Sequence, residues 1–92
     1  MANFVIKKDG TKVAFDAEKI RASVMAAAAE AEVADDQASG IADEVVNAVS
    51  ASFESQEEVA ANAIRDKILS ELDVSAPTVA QAWRRYEESK GS

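Results

Sequence analysis

The stretch from Val5 to Ile20 constrains this chain more than any other: Val5-Ile6-Lys7-Lys8-Asp9-Gly10-Thr11-Lys12-Val13-Ala14-Phe15-Asp16-Ala17-Glu18-Lys19-Ile20. Two short apolar runs flank Asp9-Gly10, a pair suited to a tight hairpin turn because its residues tolerate positive φ. A two-residue turn predicts strands over about 4–8 and 11–15, with Ile6 opposite Val13 and Phe4 opposite Phe15. Phe4, Ile6, Val13 and Phe15 then share an apolar face, with Val5, Lys7, Lys12 and Ala14 on the other. Asp16 stands where a helix N-cap belongs. Five cations (Lys7, Lys8, Lys12, Lys19, Arg21) crowd this corner. A lysine-tipped hairpin feeding a helix N-terminus is a suitable cradle for an anion.

The remaining periodicity is helical. A first helix is predicted over about 17–31, with Ile20, Val24, Ala27, Ala28 and Ala31 in one stripe. A second starts at Asp35 or Asp36 and buries Ile41, Val45, Val46, Val49 and Phe53. A third presents Ile64, Ile68, Leu69 and Leu72. Its start has two readings: a capping box at Ser55-Gln56-Glu57-Glu58, or an extended piece over 56–59 with the helix beginning near Ala60. Ser75 is the expected N-cap of a fourth helix, which tolerates Pro77 in its first turn and turns Val79, Ala80, Trp83 and Tyr86 inward. The chain is expected to fray from about Ser89.

Composition narrows the chemistry. Ninety-two residues, 48% of them hydrophobic but few aromatic, suit one compact, mostly helical domain without a deep catalytic cleft. There is no Cys and no His. Thiol chemistry, disulfides, the commonest zinc sites and the usual general base are therefore absent. Adjacent acids such as Asp43-Glu44 diverge by about 100° on a helix and cannot act as a catalytic pair. No apolar run of membrane-spanning length and no signal-peptide core is found, so a cytoplasmic location is expected.

Net charge is −7, unevenly spread. Residues 1–21 hold five cations against three acids, a local +2; residues 22–92 hold five against fourteen, a local −9. Such a surface disfavours nucleic acid, whereas a small positive pole suits a compact polyphosphate. Arg65 and Lys67, among Asp66 and Glu71, read most simply as a solvated helix face.

These residues strongly resemble the ATP-cone domain, the regulatory nucleotide-binding module of ribonucleotide reductases and of the repressor of their operons. The opening motif matches at Val5-Ile6-Lys7-Lys8-Asp9-Gly10 and Phe15-Asp16-Ala17-Glu18-Lys19-Ile20, and weaker matches follow at 41–45, 64–68 and 79–86. The resemblance spans about residues 3–90. It implies an α+β fold: a four-helix bundle capped by a small N-terminal β-hairpin or three-stranded sheet, which favours the extended reading of 56–59. It makes 1–92 a single domain with an ordered core of about 3–89.

By the same resemblance, ATP or dATP, with or without Mg, lies between sheet and helices and is not hydrolysed. Val5 would offer backbone contacts near the adenine. Lys7 and Lys8 would meet phosphates, while Asp16, Lys19 and Ile20 line the base and sugar, with Lys19 in reach of the phosphates. Arg65 and Lys90 hold helix positions that face the nucleotide. The implied partners are a second copy of the chain or a ribonucleotide reductase-related protein, without a membrane or direct nucleic-acid contact. Two positions depart from the pattern: Val13 replaces an acidic or polar ligand, and Glu87 replaces the usual arginine. A helical protein–protein interaction domain with a decayed nucleotide site is the alternative. Reductase cysteines and the repressor's zinc-binding cysteines are missing. Met1 and the short polar tail favour a free-standing domain over one excised from a longer chain.

Overall fold

The computed structural model describes residues 2–89. Its elements are β1 (Phe4–Ile6), β2 (Lys12–Ala14), α1 (Ala17–Glu30), α2 (Asp35–Ser52), β3 (Glu58–Ala60), α3 (Ala61–Ser75) and α4 (Pro77–Ser89). The architecture is α+β, four helices with a three-stranded mixed sheet in the order β2-β1-β3. β1 pairs antiparallel with β2 and parallel with β3. The extended reading of 56–59 therefore holds over the capping box. β3 passes into α3 without a loop.

The hairpin register differs from the predicted one by a single residue. Phe4 faces Ala14, Val5 faces Val13 and Ile6 faces Lys12. The cause is the turn. Gly10 N–H donates to the Lys7 carbonyl (2.9 Å) and Lys7 N–H to the Thr11 carbonyl (2.8 Å), which leaves Lys8-Asp9-Gly10 as a three-residue loop. Gly10 takes φ +89°, while Asp9 does not adopt positive φ. This is the hairpin built on a type I turn plus a left-handed glycine, in place of the type I′ turn. One slip reverses the faces of β1. Val5 turns inward with Phe15 and the buried Val59 to meet the helices, and Lys7 follows Val5. Phe4 turns outward, where Lys12 Nζ lies 4.3 Å from its ring centroid and 2.8 Å from Glu58. That ion pair raises the Lys12 pKa, chiefly through its hydrogen bond to Glu58.

Helix ends show local chemistry plainly. Asp16 is the α1 N-cap, its carboxylate accepting from Glu18 N–H at 3.0 Å. α1 closes without glycine: Val33 N–H reaches the Ala28 carbonyl (2.9 Å) and Glu32 N–H the Ala29 carbonyl (3.0 Å). These two bonds form a Schellman motif that puts Glu32 at φ +62°. Val33 supplies the accompanying apolar contact with the core. Ser75 does not cap α4; it ends α3, donating its hydroxyl to the Glu71 carbonyl at 2.9 Å. Only Ala76 separates the two helices, extended as the residue before a proline must be.

The core joins all four helices to β3. Val24, Val45, Val49, Val59, Leu72 and Val79 are its largest fully buried side chains. α1 packs on α2 and α4, and α3 packs on the same two helices. Alanines 27, 28, 80 and 82 are fully buried and let α1 and α4 approach closely. The predicted stripes hold in part: Val45 and Val49 are buried in α2 with Ala38 and Ala42, and Val79, Ala80 and Trp83 in α4 with Ala82, whereas Val46 and Tyr86 are only half-buried, one position off the packed face. Ile20, Ile41, Phe53 and Leu69 are only partly buried at the margin of the core.

Two substitutions at the left-handed positions should act in opposite directions. A Cβ at Gly10 meets no atom within 4 Å, so Gly10→Ala suffers only the backbone penalty of about 1–2 kcal/mol. Glu32→Gly relieves the same penalty, less unfolded-chain entropy, for a gain of about 0.5–1 kcal/mol. Urea unfolding of both variants checks the pair of signs.

Candidate functional site

Between the inner face of the sheet and the helices lies a cleft of about 380 Å³. Val5, Val13, Ile20, Ile64, Ile68 and Trp83 supply its apolar wall. Lys7, Lys19 and Arg65 supply its charge, and Asp16 stands at the start of α1. A second compartment of about 470 Å³ lies along the hairpin tip, bordered by the cations Lys7, Lys8 and Arg65, the acids Asp9, Glu87 and Glu88, and Asn62. Lys7, Ala61, Arg65 and Glu87 border both compartments. Each volume falls in the range of small-molecule sites.

The register slip is what brings Lys7 here. Alternation from Val5 carries it to the inner face, whereas the predicted pairing turned it away. Strict alternation also set Lys7 and Lys8 on opposite faces. Lys8 instead belongs to the three-residue loop, and both lysines border the outer compartment. Arg65 leaves the solvated-face reading for the cleft, because α3 starts at Ala61 and sets Ala61, Ile64, Arg65 and Ile68 along one side. Lys90 lies outside the described residues.

Sequence reasoning passed over Ser23, and Trp83 it took as core packing. Trp83 is indeed buried, yet it also walls the cleft. Its Nε1–H donates to Ser23 Oγ at 3.1 Å, and Ser23 donates in turn to the Ile20 carbonyl at 2.8 Å. This chain ties α4 to α1 beneath the cleft and leaves no buried side-chain polar atom without a partner among the described residues. A lone serine in an alanine-rich helix was the available signal.

Charge pairing sorts the cations. Nine of the ten Lys and Arg residues are described. Five are ion-paired: Lys12 with Glu58, Arg21 with Asp43, Lys67 with Glu71, Arg84 with Asp73, and Arg85 with Glu30. Arg21 also donates to Ser39 Oγ at 2.8 Å, joining α1 to α2. The other four, Lys7, Lys8, Lys19 and Arg65, have no ion-pair partner among the described residues; Lys7, Lys19 and Arg65 border the cleft, and Lys8 its outer compartment. Lys19 sits in the first turn of α1, where the helix dipole disfavours a cation unless an anion is near. At the hairpin tip, Asp9 is held below the usual carboxylate pKa, first by its hydrogen bond from the Thr11 side chain and then by the Thr11 amide. It thus stays an anion that ties the loop rather than a proton donor.

Removing the Ser23 hydroxyl should leave the buried indole N–H unsatisfied. Ser23→Ala is expected to lose about 1–3 kcal/mol of stability and to shift Trp83 emission. Chemical denaturation followed by fluorescence measures both.

Among the described residues no helix is long and apolar enough to cross a membrane. The model of one family, the ATP cone domain, matches residues 3–91, nearly the whole chain. No curated protein matches it. The chain belongs to the ATP cone family, whose members are nucleotide-binding regulatory modules rather than catalysts.

Proposed function

Given an ATP cone domain with this cleft, we propose that the chain binds ATP and/or dATP between sheet and helices and relays occupancy without hydrolysing the nucleotide. One observation carries the reading: the described cations that lack an acid partner are the four that border the cleft or its outer compartment. Apolar walls deep in the cleft suit an adenine ring, and the outer compartment, with Lys7, Lys8 and Arg65, suits phosphates. Val5, Asp16, Lys19 and Ile20 serve the base and sugar side, with Lys19 in reach of the phosphates. α3 begins at this compartment without a side-chain cap, so its first-turn amides add a favourable field for an anion. Among the described residues no three acidic side chains converge as a metal site. Mg, where present, would arrive with the triphosphate, held chiefly by its oxygens and water.

The reading extends to architecture and relay. The helix contacts, each helix on two others, suit the bundle expected from the family. The receiver is a second copy of the chain or a ribonucleotide reductase-related partner in the cytoplasm.

Titration with ATP, dATP, ADP and GTP tests the proposal. Trp83, the single tryptophan, walls the cleft and reports directly on filling. Saturable binding of ATP or dATP is expected, and ligand at one hundred times its Kd should add about 2.7 kcal/mol of stability. A melting curve unmoved by millimolar nucleotide would favour a decayed site on an interaction domain.

Lys7→Ala, Lys19→Ala and Arg65→Ala should each weaken binding about ten- to hundredfold through loss of a charge-assisted contact. Lys67→Ala, paired with Glu71 away from the cleft, should bind like the parent. Calorimetry on the four variants reads the contrast. Sedimentation of the apo, ATP and dATP forms over a range of concentrations should show nucleotide-dependent association, and phosphate release should not scale with protein.

A further inference from the structure

The two compartments meet at Lys7, Ala61, Arg65 and Glu87. On the reading above, which this inference rests on, a nucleotide with its base inside and its phosphates outside must lay its sugar across that junction. Of the four residues there, two are cations and one has only a methyl side chain. Glu87 alone has a side chain that accepts hydrogen bonds. It stands one turn beyond Trp83 on α4, so the two side chains share the face turned to the cleft. It is half-buried.

A carboxylate is a poor neighbour for a phosphate and a good one for a hydroxyl. Its oxygens accept and never donate while it is ionised, and about four lone-pair sites mean that an existing contact does not exhaust it. The donors that a nucleotide brings to the junction are its ribose hydroxyls. The geometry points to Glu87 as a residue that reads the ribose from the α4 side, opposite Asp16 at the start of α1, accepting a hydrogen bond from a sugar hydroxyl and thereby favouring ATP over an analogue that lacks it. Lys7 and Arg65 hold the first phosphates beside it and offset its charge. An arginine at this position could not accept a hydroxyl proton and would recruit phosphate instead. This residue is therefore expected to shift the chain's preference toward the ribonucleotide.

The test is a matrix of dissociation constants for ATP, 2′-deoxy-ATP and 3′-deoxy-ATP against the parent chain, Glu87→Ala and Glu87→Gln. The parent should prefer ATP over at least one deoxy analogue by about tenfold or more, the usual return on a charge-assisted hydrogen bond. Glu87→Ala should erase the preference by weakening ATP while leaving that analogue's affinity unchanged or raised, since a negative charge beside the phosphates has gone. Glu87→Gln, of nearly equal shape, should lose most of the preference and carries the test if the alanine variant unfolds. A merely structural role would weaken all three ligands together. Equal ratios in parent and variants, or a parent with no preference, overturn the assignment while leaving adenine-nucleotide binding intact. A parent that binds none of the three instead overturns the reading beneath it, and the ribose assignment falls with it.

Discussion

The parallel pairing of β1 with β3 organises the molecule. A three-residue hairpin pair is marginal alone in water. Here its first strand is held by a third strand that continues directly into α3. Asn3 and Phe4 N–H both donate to the Glu57 carbonyl, at 2.9 and 3.0 Å, which fixes the start of the chain to the approach of that helix. Val59 is buried between Val5 and the helices. The sheet is thus joined by backbone to α3 through β3 and to α1 through Phe15-Asp16, and the cleft is bordered by residues of both junctions. Any ligand in that cleft would touch both layers, which is a physical basis for occupancy to change how they sit together.

Charge follows the same division. The helices consume their own cations in pairs that tie neighbours, as with Arg21 to Asp43 across α1 and α2 and Arg84 to Asp73 across α3 and α4. These pairs are largely exposed and contribute modestly. Their larger consequence is to leave the positive potential to Lys7, Lys8, Lys19 and Arg65. An acidic body with its unpaired cations gathered around one cleft is a charge distribution suited to a small anion more than to a long polyanion.

Burial in the helical layer rests on small residues. Alanines bring α1 and α4 close, and the buried polar contact at that interface, Ser23 with Trp83, is fully satisfied, while Arg85 and Glu30 pair at its exposed edge. A buried indole needs a partner for its N–H, and close approach of the helices supplies it. Trp83 is thereby fixed in place as the cleft wall, a fixed surface against which a planar ring can rest. Among the described residues, positive φ is confined to turns, at Gly10 and Glu32, of which only Gly10 is chemically suited to its backbone.

Local chemistry was legible in the sequence because its causes are local. Asp16 as N-cap, the extent of α1, the start of α2, most of the α1, α3 and α4 stripes and the opening motif of the family all follow from residues within a few positions of one another. Val5, Lys7, Asp16, Lys19 and Ile20 were named as site candidates on that basis, and they come to border one cleft. The tertiary structure decided the rest. Three-residue and two-residue turns compete at Lys8-Asp9-Gly10, and their difference lies in the backbone angle of Asp9, which residue types do not specify. The choice inverted β1 and carried Lys7 to the cleft. Ser75 lost its capping role because α3 continues to it, and Arg65, which periodicity alone left on a solvated face and the family resemblance turned to the nucleotide, borders the cleft because β3 fixes where α3 begins. Whether a cation is paired or left free depends on what packs opposite it, and this is settled only when distant elements meet.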